Sequence, residues 1–434
     1  MSYIRLESLY LDNFKSFKKS KFEFGKVNCL IAPNNTGKSN LVFALTFLND
    51  ILYNGMIPAI SKLDLKNIKN YHYSESLIEI NAKFKIENDV LSGNTLIKYM
   101  NDLSITFKID LETQFYNFDV EINGKLKHIN VDKFDLLNNL GYFDLKVYNN
   151  MIEHNLRDYD KYMYNLNQNK FTSFKLNYSL NTNNCTIESN NKTKNIINKL
   201  YGLVFANEQL VSVFDFKNIF NNFQLFAYFY FDINQIKKPE LTGNVAAFLP
   251  NGKNLIEVLD FLNKNNHDIF ESISLSLIGE IEAITGLEID NSTFMPSLKF
   301  KEEIGNKQRD IDIWNISDGT IHFIAIITAI LSYNKSIGIM IEEPERHMHM
   351  KVLLYILNSM RDSESQIFFT THSTEMLSEL ELDEIIFMFR NFDGDTKGIR
   401  AKNIENIEKI MDRYDKDLVS IIQMGILDNL EDEL

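Results

Sequence analysis

Apolar and polar positions along the chain fall into patterns that predict most of its elements. Residues 3–12 alternate, with Ile4, Leu6, Leu9 and Leu11 apolar, and read as a strand. Val27-Asn28-Cys29-Leu30-Ile31 is a short, mostly apolar run of the kind a buried strand requires. Leu41, Val42, Ala44, Leu45, Phe47 and Leu48 recur at helical spacing and predict a helix from about Asn40 to Leu52. Period-two alternation predicts a strand over Leu77–Ile86, and strand-like pieces follow at Leu103–Leu111 and Phe115–Ile122. Apolar character returns at Phe223–Phe231. The turn at Pro250-Asn251-Gly252 then opens an amphipathic helical region reaching about Thr285. A strand pair is expected near Phe300 and Ile311–Trp314, then a helix through Ile321–Ile330 and two apolar strands, Ile337–Ile341 and Gln366–Phe369.

Chemistry enters where these elements end. Ala32-Pro33-Asn34-Asn35-Thr36-Gly37-Lys38-Ser39 joins the strand at Val27 to the following helix. Strand, small-residue turn ending in Gly-Lys-Ser, then helix is the context of a phosphate-binding loop. Backbone N–H groups of such a loop and the helix N-terminus point at an anion, with Lys38 reaching the β- and γ-phosphates and the Ser39 hydroxyl ligating Mg²⁺. The usual leading Gly is replaced by Ala32, which resists positive φ, so the bend falls to Asn34 and Asn35, which tolerate it better.

Three more stretches carry candidate chemistry. Ser317-Asp318-Gly319-Thr320 opens an apolar helix, where a Ser hydroxyl and a Gly N–H make either a plain N-cap or an anion site. Glu342-Glu343-Pro344-Glu345 ends an apolar strand. Successive strand residues face opposite ways, so Glu342 and Glu343 take different tasks: one holds Mg²⁺ and the other activates water. Thr370-Thr371-His372-Ser373 ends another apolar strand, so the candidates gather at carboxyl ends of strands, where open α/β sheets bind ligands. His347 and His349 form an H-x-H with no third ligand nearby in sequence.

Composition narrows the picture. A chain of 434 residues exceeds the usual size of one core, so two lobes are expected. With 59 acidic against 45 basic residues the net charge is −14, and nucleic acid would need a local basic patch. Lys15, Lys18, Lys19 and Lys21 form the candidate patch, with a solvated hairpin as the commoner explanation. Two cysteines exclude a disulfide framework, and no run approaches the roughly 20 apolar residues of a membrane helix, so a cytoplasmic protein is expected. Asp393-Gly394-Asp395 reads as a hairpin tip.

The four stretches, in this order, resemble the ATP-binding-cassette ATPases of the RecF, SMC and OLD group, and most of all the stand-alone AAA family ATPases that accompany bacterial defence nucleases. Asn13-Phe14-Lys15-Ser16-Phe17 is similar to that family's opening, Ala32 to Ser39 to its Walker A, and Ser317 to Thr320 to its signature. Ile339 to Glu345 resembles its Walker B, and Thr371-His372-Ser373 its switch histidine. The resemblance covers about residues 1–60 and 220–430. It implies an α/β ATPase head, a mixed sheet with flanking helices, carrying an inserted α+β or helical lobe. The corresponding segments are 1–88 and 221–434 for the head and 89–220 for the lobe. The residues implied for ATP are Lys15, Asn34, Asn35, Thr36, Gly37, Lys38, Ser39 and Asn40, with Ser317 and Gly319 from a second copy. Ser39 and Glu342 are implied for Mg²⁺, and Glu343, His372 and Lys38 for catalysis. Two heads would sandwich two ATP molecules and control a separately encoded effector, a nuclease. The alternative is a RecF-like repair ATPase that binds DNA directly.

Overall fold

The structure, a computed structural model, describes residues 3–33, 35–54, 59–60, 62, 67–92, 95–113, 115–130, 172–179, 184–188, 205–206, 209–210, 226–238, 247–292, 296–305, 307–333, 336–405, 407 and 409. In chain order the elements are β1 (Tyr3–Asp12), β2 (Ser20–Glu23), β3 (Val27–Ile31), α1 (Lys38–Asn54), β4 (Leu77–Ser92), β5 (Thr95–Asp110), β6 (Phe115–Asn130), β7 (Thr172–Ser179) and β8 (Asn184–Glu188). Then come β9 (Phe205–Ala206), β10 (Gln209–Leu210), β11 (Ala227–Phe229), α2 (Ile233–Ile236), α3 (Leu255–Asn265), α4 (His267–Glu280), β12 (Ile284–Asp290), β13 (Ser297–Ile304) and β14 (Lys307–Asp312). The last are α5 (Asp318–Ser332), β15 (Gly338–Glu342), α6 (Met350–Asp362), β16 (Gln366–Thr370), α7 (Thr374–Ser378), β17 (Ile385–Arg390) and β18 (Thr396–Arg400). Two compact units form, residues 1–9 with 76–221 and residues 10–75 with 222–434.

The larger unit holds a sheet of order β11-β15-β16-β3-β17-β18. Its strands are parallel except β18, which returns antiparallel beside β17. Every residue of β3 and β16 is buried, as a parallel sheet covered on both faces demands. One face packs Cys29, Ile339, Ile341, Ile367 and Phe369 into a core shared with α3, α4, α5 and α6. All residues from Thr320 to Ile330 of α5 are buried, so this helix is apolar all round and central to that core. The other face is aromatic: the Phe368 ring meets Phe24 and Phe226 at centroid distances of 5.2 and 5.9 Å. Five parallel strands bring their carboxyl ends to one edge, which is where the candidate residues stand.

In the smaller unit β4, β5, β6, β7 and β8 pair antiparallel in that order, with β1 beside β4. β4 and β5 pair without interruption from Leu77↔Asp110 to Ser92↔Thr95. Ile78, Ile80, Ala82, Phe84 and Ile86 alternate with more exposed residues and share a buried face with Leu103, Ile105, Phe107 and Ile109. Residue 89, expected to begin the inserted lobe, lies inside β4.

Other differences from the sequence reading have local causes. The region expected to be helical from residue 255 to about Thr285 is two helices broken at Asn266 (φ −142°, ψ 59°), after which the chain turns into β12. The strand expected at Ile311–Trp314 ends at Asp312, and Ile313–Asn315 is a 3₁₀ turn leading into α5. The hairpin tip at Gly394 forms as expected, with φ +83° between β17 and β18. Among the described residues no helix is long and apolar enough to cross a membrane.

Candidate active site

Among the described residues of the turn after β3, two have positive φ. Ala32 is buried and keeps ordinary angles, while Asn35 (φ +62°) and Gly37 (φ +117°) take the bend. A Cβ on Gly37 would lie 2.6 Å from Thr396 Oγ1 and 2.8 Å from Ser16 Oγ, so only glycine fits. Those hydroxyls belt the loop from below. Thr396 donates to the Thr36 carbonyl, the Ser16 carbonyl accepts from the Thr396 N–H at 2.7 Å, and Asn40 donates to Ser16 Oγ at 2.8 Å. Asn34 lies outside the described residues.

The loop opens on a cavity of about 320 Å³. Asn35, Thr36, Gly37, Lys38, Ser39 and Asn40 line one side, with Glu342, Glu343, Thr370, His372 and Arg390 around the rest. Parallel register explains the convergence. Glu342 is level with Thr370 across β15 and β16, and the Glu343 N–H donates to the Thr370 carbonyl at 3.1 Å just beyond the sheet. Glu343 itself has φ +45°, so the two adjacent carboxylates separate by a backbone turn as well as by strand alternation.

Electrostatics at the site follow from partial burial among carboxylates. Desolvation draws the Lys38 pKa below its ordinary value, while Glu343, Glu345 and Glu342 oppose that shift. The Lys38 ammonium donates to the Ala32 carbonyl at 3.1 Å and to His372 Nε2 at 2.9 Å. Glu343 forms an ion pair with Arg346. Glu342 accepts from the Tyr228 hydroxyl, whose pKa rises through burial and through that carboxylate.

The donor set suits a magnesium nucleotide. Ser39, Glu342 and Thr370 offer hard oxygen donors, the kind Mg²⁺ selects, and none of the three is a soft ligand. The loop N–H groups at the start of α1 and the Lys38 ammonium suit phosphate oxygens.

Ser317 and Gly319 are not among the residues lining this cavity. Ser317 caps α5, accepting from the Thr320 N–H at 3.1 Å, and is exposed. Gly319 has a packing reason of its own: a Cβ there would sit 2.3 Å from the His347 carbonyl oxygen. Three residues on, His322 is buried, and its Nδ1 donates to the Arg346 carbonyl at 2.8 Å. The α5 N-terminus is therefore keyed to the turn that follows Glu343.

Lys15 is also outside the cavity lining. Its ammonium donates to the Asn67 carbonyl at 3.2 Å and lies 4.4 Å over the Phe43 ring, where burial lowers its pKa. Lys18 is buried and paired with Asp12 and Glu75, and Lys21 with Glu23. Three of the four lysines of the expected patch, Lys15, Lys18 and Lys21, thus have side-chain partners within the chain.

Sequence reasoning did not single out Arg390 or Tyr228, and it read Thr370 only as part of the stretch that ends β16. Arg390 ends β17 and donates to the Asn35 carbonyl at 2.8 Å; its signal was a lone cation closing an apolar strand, as Thr370 closes its own. Tyr228 carried no signal, because only the β11–β15 pairing puts it beside Glu342.

Fold and site together define an α/β protein of the phosphate-loop class. Residues 211–378 match the family described as "AAA domain, putative AbiEii toxin, Type IV TA system". A protein of Helicobacter pylori named "ATP/GTP phosphatase" is 23% identical over 392 residues, spanning 87% of each chain. Similar solved structures include an SMC head bound to the C-winged helix domain of ScpA, with 12% identity and TM-score 0.47 over 91% of this chain and 97% of that one. The SMC head domain from Thermotoga maritima gives 12% identity and TM-score 0.40 over 91% and 98%.

Proposed function

We propose that two copies of this ATPase close face to face around ATP, and that closure controls a separately encoded effector, a nuclease of a defence system. Each chain gives Lys38, Ser39, Glu342, Glu343 and His372 to one nucleotide, and Ser317 with Gly319 to the other. The observation that carries the reading is a separation. The phosphate loop, both glutamates and His372 surround one open cavity, whereas exposed Ser317 at the start of α5 lies outside it in the same chain. A helix N-terminus offered to solvent suits a γ-phosphate held by another copy, and ATP, unlike ADP, reaches far enough to bridge the two.

Within one site the chain's own residues divide the work. Lys38 leaves the Ala32 carbonyl for the phosphates, whose charge adds to that of Glu342, Glu343 and Glu345 in offsetting the desolvation of its partly buried ammonium. Ser39 and Glu342 would hold Mg²⁺, which would supply neutralisation of phosphate charge. Glu343, turned away from Glu342 by its positive φ, orients and deprotonates the attacking water. His372 faces the same phosphate end, within reach of Lys38. The effector and its defence setting rest on the resemblance of the four motifs.

Complementation tests the sandwich. Lys38→Ala and Ser317→Arg chains are each expected to be inactive alone. Mixed one to one they recover about a quarter of the wild-type rate, because half the random dimers are mixed and each of those has one intact site. No recovery on mixing, in chains shown to associate, would remove the shared site. Copurification of the native complex identifies the effector.

A further inference from the structure

Glu345 is the carboxylate of the Glu342-Glu343-Pro344-Glu345 run that the proposed chemistry leaves unused. Its Oε1 accepts the backbone N–H of His372 at 2.9 Å, while its Oε2 is buried with no hydrogen-bond partner among the described residues. A buried carboxylate oxygen without a donor costs stability, so its presence calls for a reason other than packing. The surroundings add to that cost: the charge of Glu345 reaches the fully buried Cys29 thiol and pushes its pKa further up.

We propose that Glu345 is a positioning residue for the hydrolytic step, holding the 371–373 turn so that the His372 imidazole faces the phosphate end of the cavity. The inference rests on the ATPase reading of the site. Three observations build it. First, β15 and β16 are zipped in register as far as Glu342↔Thr370, and the Glu343 N–H continues the zipper to the Thr370 carbonyl. The Glu345–His372 hydrogen bond is the next rung, made by a side chain because the backbones have parted. Second, Glu343 at φ +45° and the following Pro344 rotate the chain between the two carboxylates. Glu343 is thereby left on the cavity and Glu345 against the neighbouring turn. Third, His372 is exposed, and among the described residues its ring has a single hydrogen-bond contact, Lys38 Nζ at 2.9 Å. Lys38 must leave that contact to take phosphate, so the imidazole then depends on its backbone for direction. Glu345 fixes that backbone.

The test reads both the hydrogen bond and the rate. In protein labelled with ¹⁵N-histidine, the His372 amide proton, bonded to a carboxylate, is expected downfield and moves upfield in Glu345→Ala. In steady-state ATP hydrolysis Glu345→Ala lowers kcat about tenfold with ATP affinity within about twofold of wild type. Glu345→Gln, whose amide oxygen still accepts the N–H, stays within about threefold. Because Glu345 acts through His372, Glu345→Ala adds nothing to His372→Ala in the double variant, whereas a merely structural role would multiply the two losses. An unmoved amide signal overturns the inference whatever the rates, and so does a multiplicative double variant. Wild-type protein that fails to hydrolyse ATP would instead overturn the proposed function, with the amide shift still deciding whether Glu345 holds the turn.

Discussion

Gly37→Ala is the sharpest perturbation of the phosphate loop, because two separate penalties can be read from the structure. The residue sits at φ +117°, where an added side chain strains the backbone by about 1–3 kcal/mol. The new Cβ would also stand 2.6 Å from Thr396 Oγ1, 2.8 Å from Ser16 Oγ and 3.2 Å from Thr396 Cγ2. Relieving that overlap costs about 1–3 kcal/mol more and loosens the hydroxyl belt under the loop. The sum, about 2–6 kcal/mol, is a large share of ordinary domain stability. Gly394→Ala provides the control: its φ is +83°, but nothing among the described residues lies within 4 Å of the new Cβ, so only the backbone term of about 1–3 kcal/mol applies. Urea denaturation followed by circular dichroism reads both variants as shifts in midpoint, and titration with a fluorescent ATP analogue reads the loop. Gly37→Ala should show the larger midpoint shift and lose nucleotide binding; Gly394→Ala should keep it. Equal midpoints for the two variants, or wild-type affinity in Gly37→Ala, would refute the claim that the loop is held by close packing on Ser16 and Thr396.

Glu343→Gln should lower ATP turnover by about 10²–10⁴-fold while ATP still binds, so that paired chains accumulate on gel filtration; an unchanged rate removes Glu343 as the base. Lys38→Ala should weaken ATP binding by at least about tenfold with the circular dichroism spectrum intact. In wild type, ATP affinity should fall as pH rises through the lowered Lys38 pKa, at a lower pH than for an exposed lysine; a flat profile up to the ordinary lysine range contradicts that. Burial holds the His322 pKa down at about 4 against an ordinary 6.5, so the imidazole is neutral in the fold and protonated on unfolding below 6.5. Stability should therefore be full above pH 6.5 and decline as pH falls toward 4, by on the order of 3 kcal/mol; His322→Gln should flatten that segment of the urea-midpoint profile. Trp314 is 55% exposed three residues before Ser317, and its fluorescence should change when ATP brings chains together; a constant signal in demonstrated dimers argues against the placement of Ser317 at the interface.

The sequence alone determined the local features. Apolar runs short enough to be buried strands, the Gly-Lys-Ser turn before a helix and the adjacent Glu342 and Glu343 depend on neighbours in the chain, and period and turn chemistry record them. Asn35 as a carrier of positive φ and Gly394 at a hairpin tip were legible for the same reason: backbone preference is a property of the residue. The tertiary structure decided which strand lies beside which. The order β11-β15-β16-β3-β17 places Tyr228 on Glu342, Arg390 on Asn35 and Glu345 on the turn of His372, between residues up to 355 positions apart. It also gave Gly319 a packing duty against His347 and turned Lys18 and Lys21 from a candidate patch into ion pairs. Strand pairing is set by how buried faces fit together across the whole sheet, and no window of sequence contains that information.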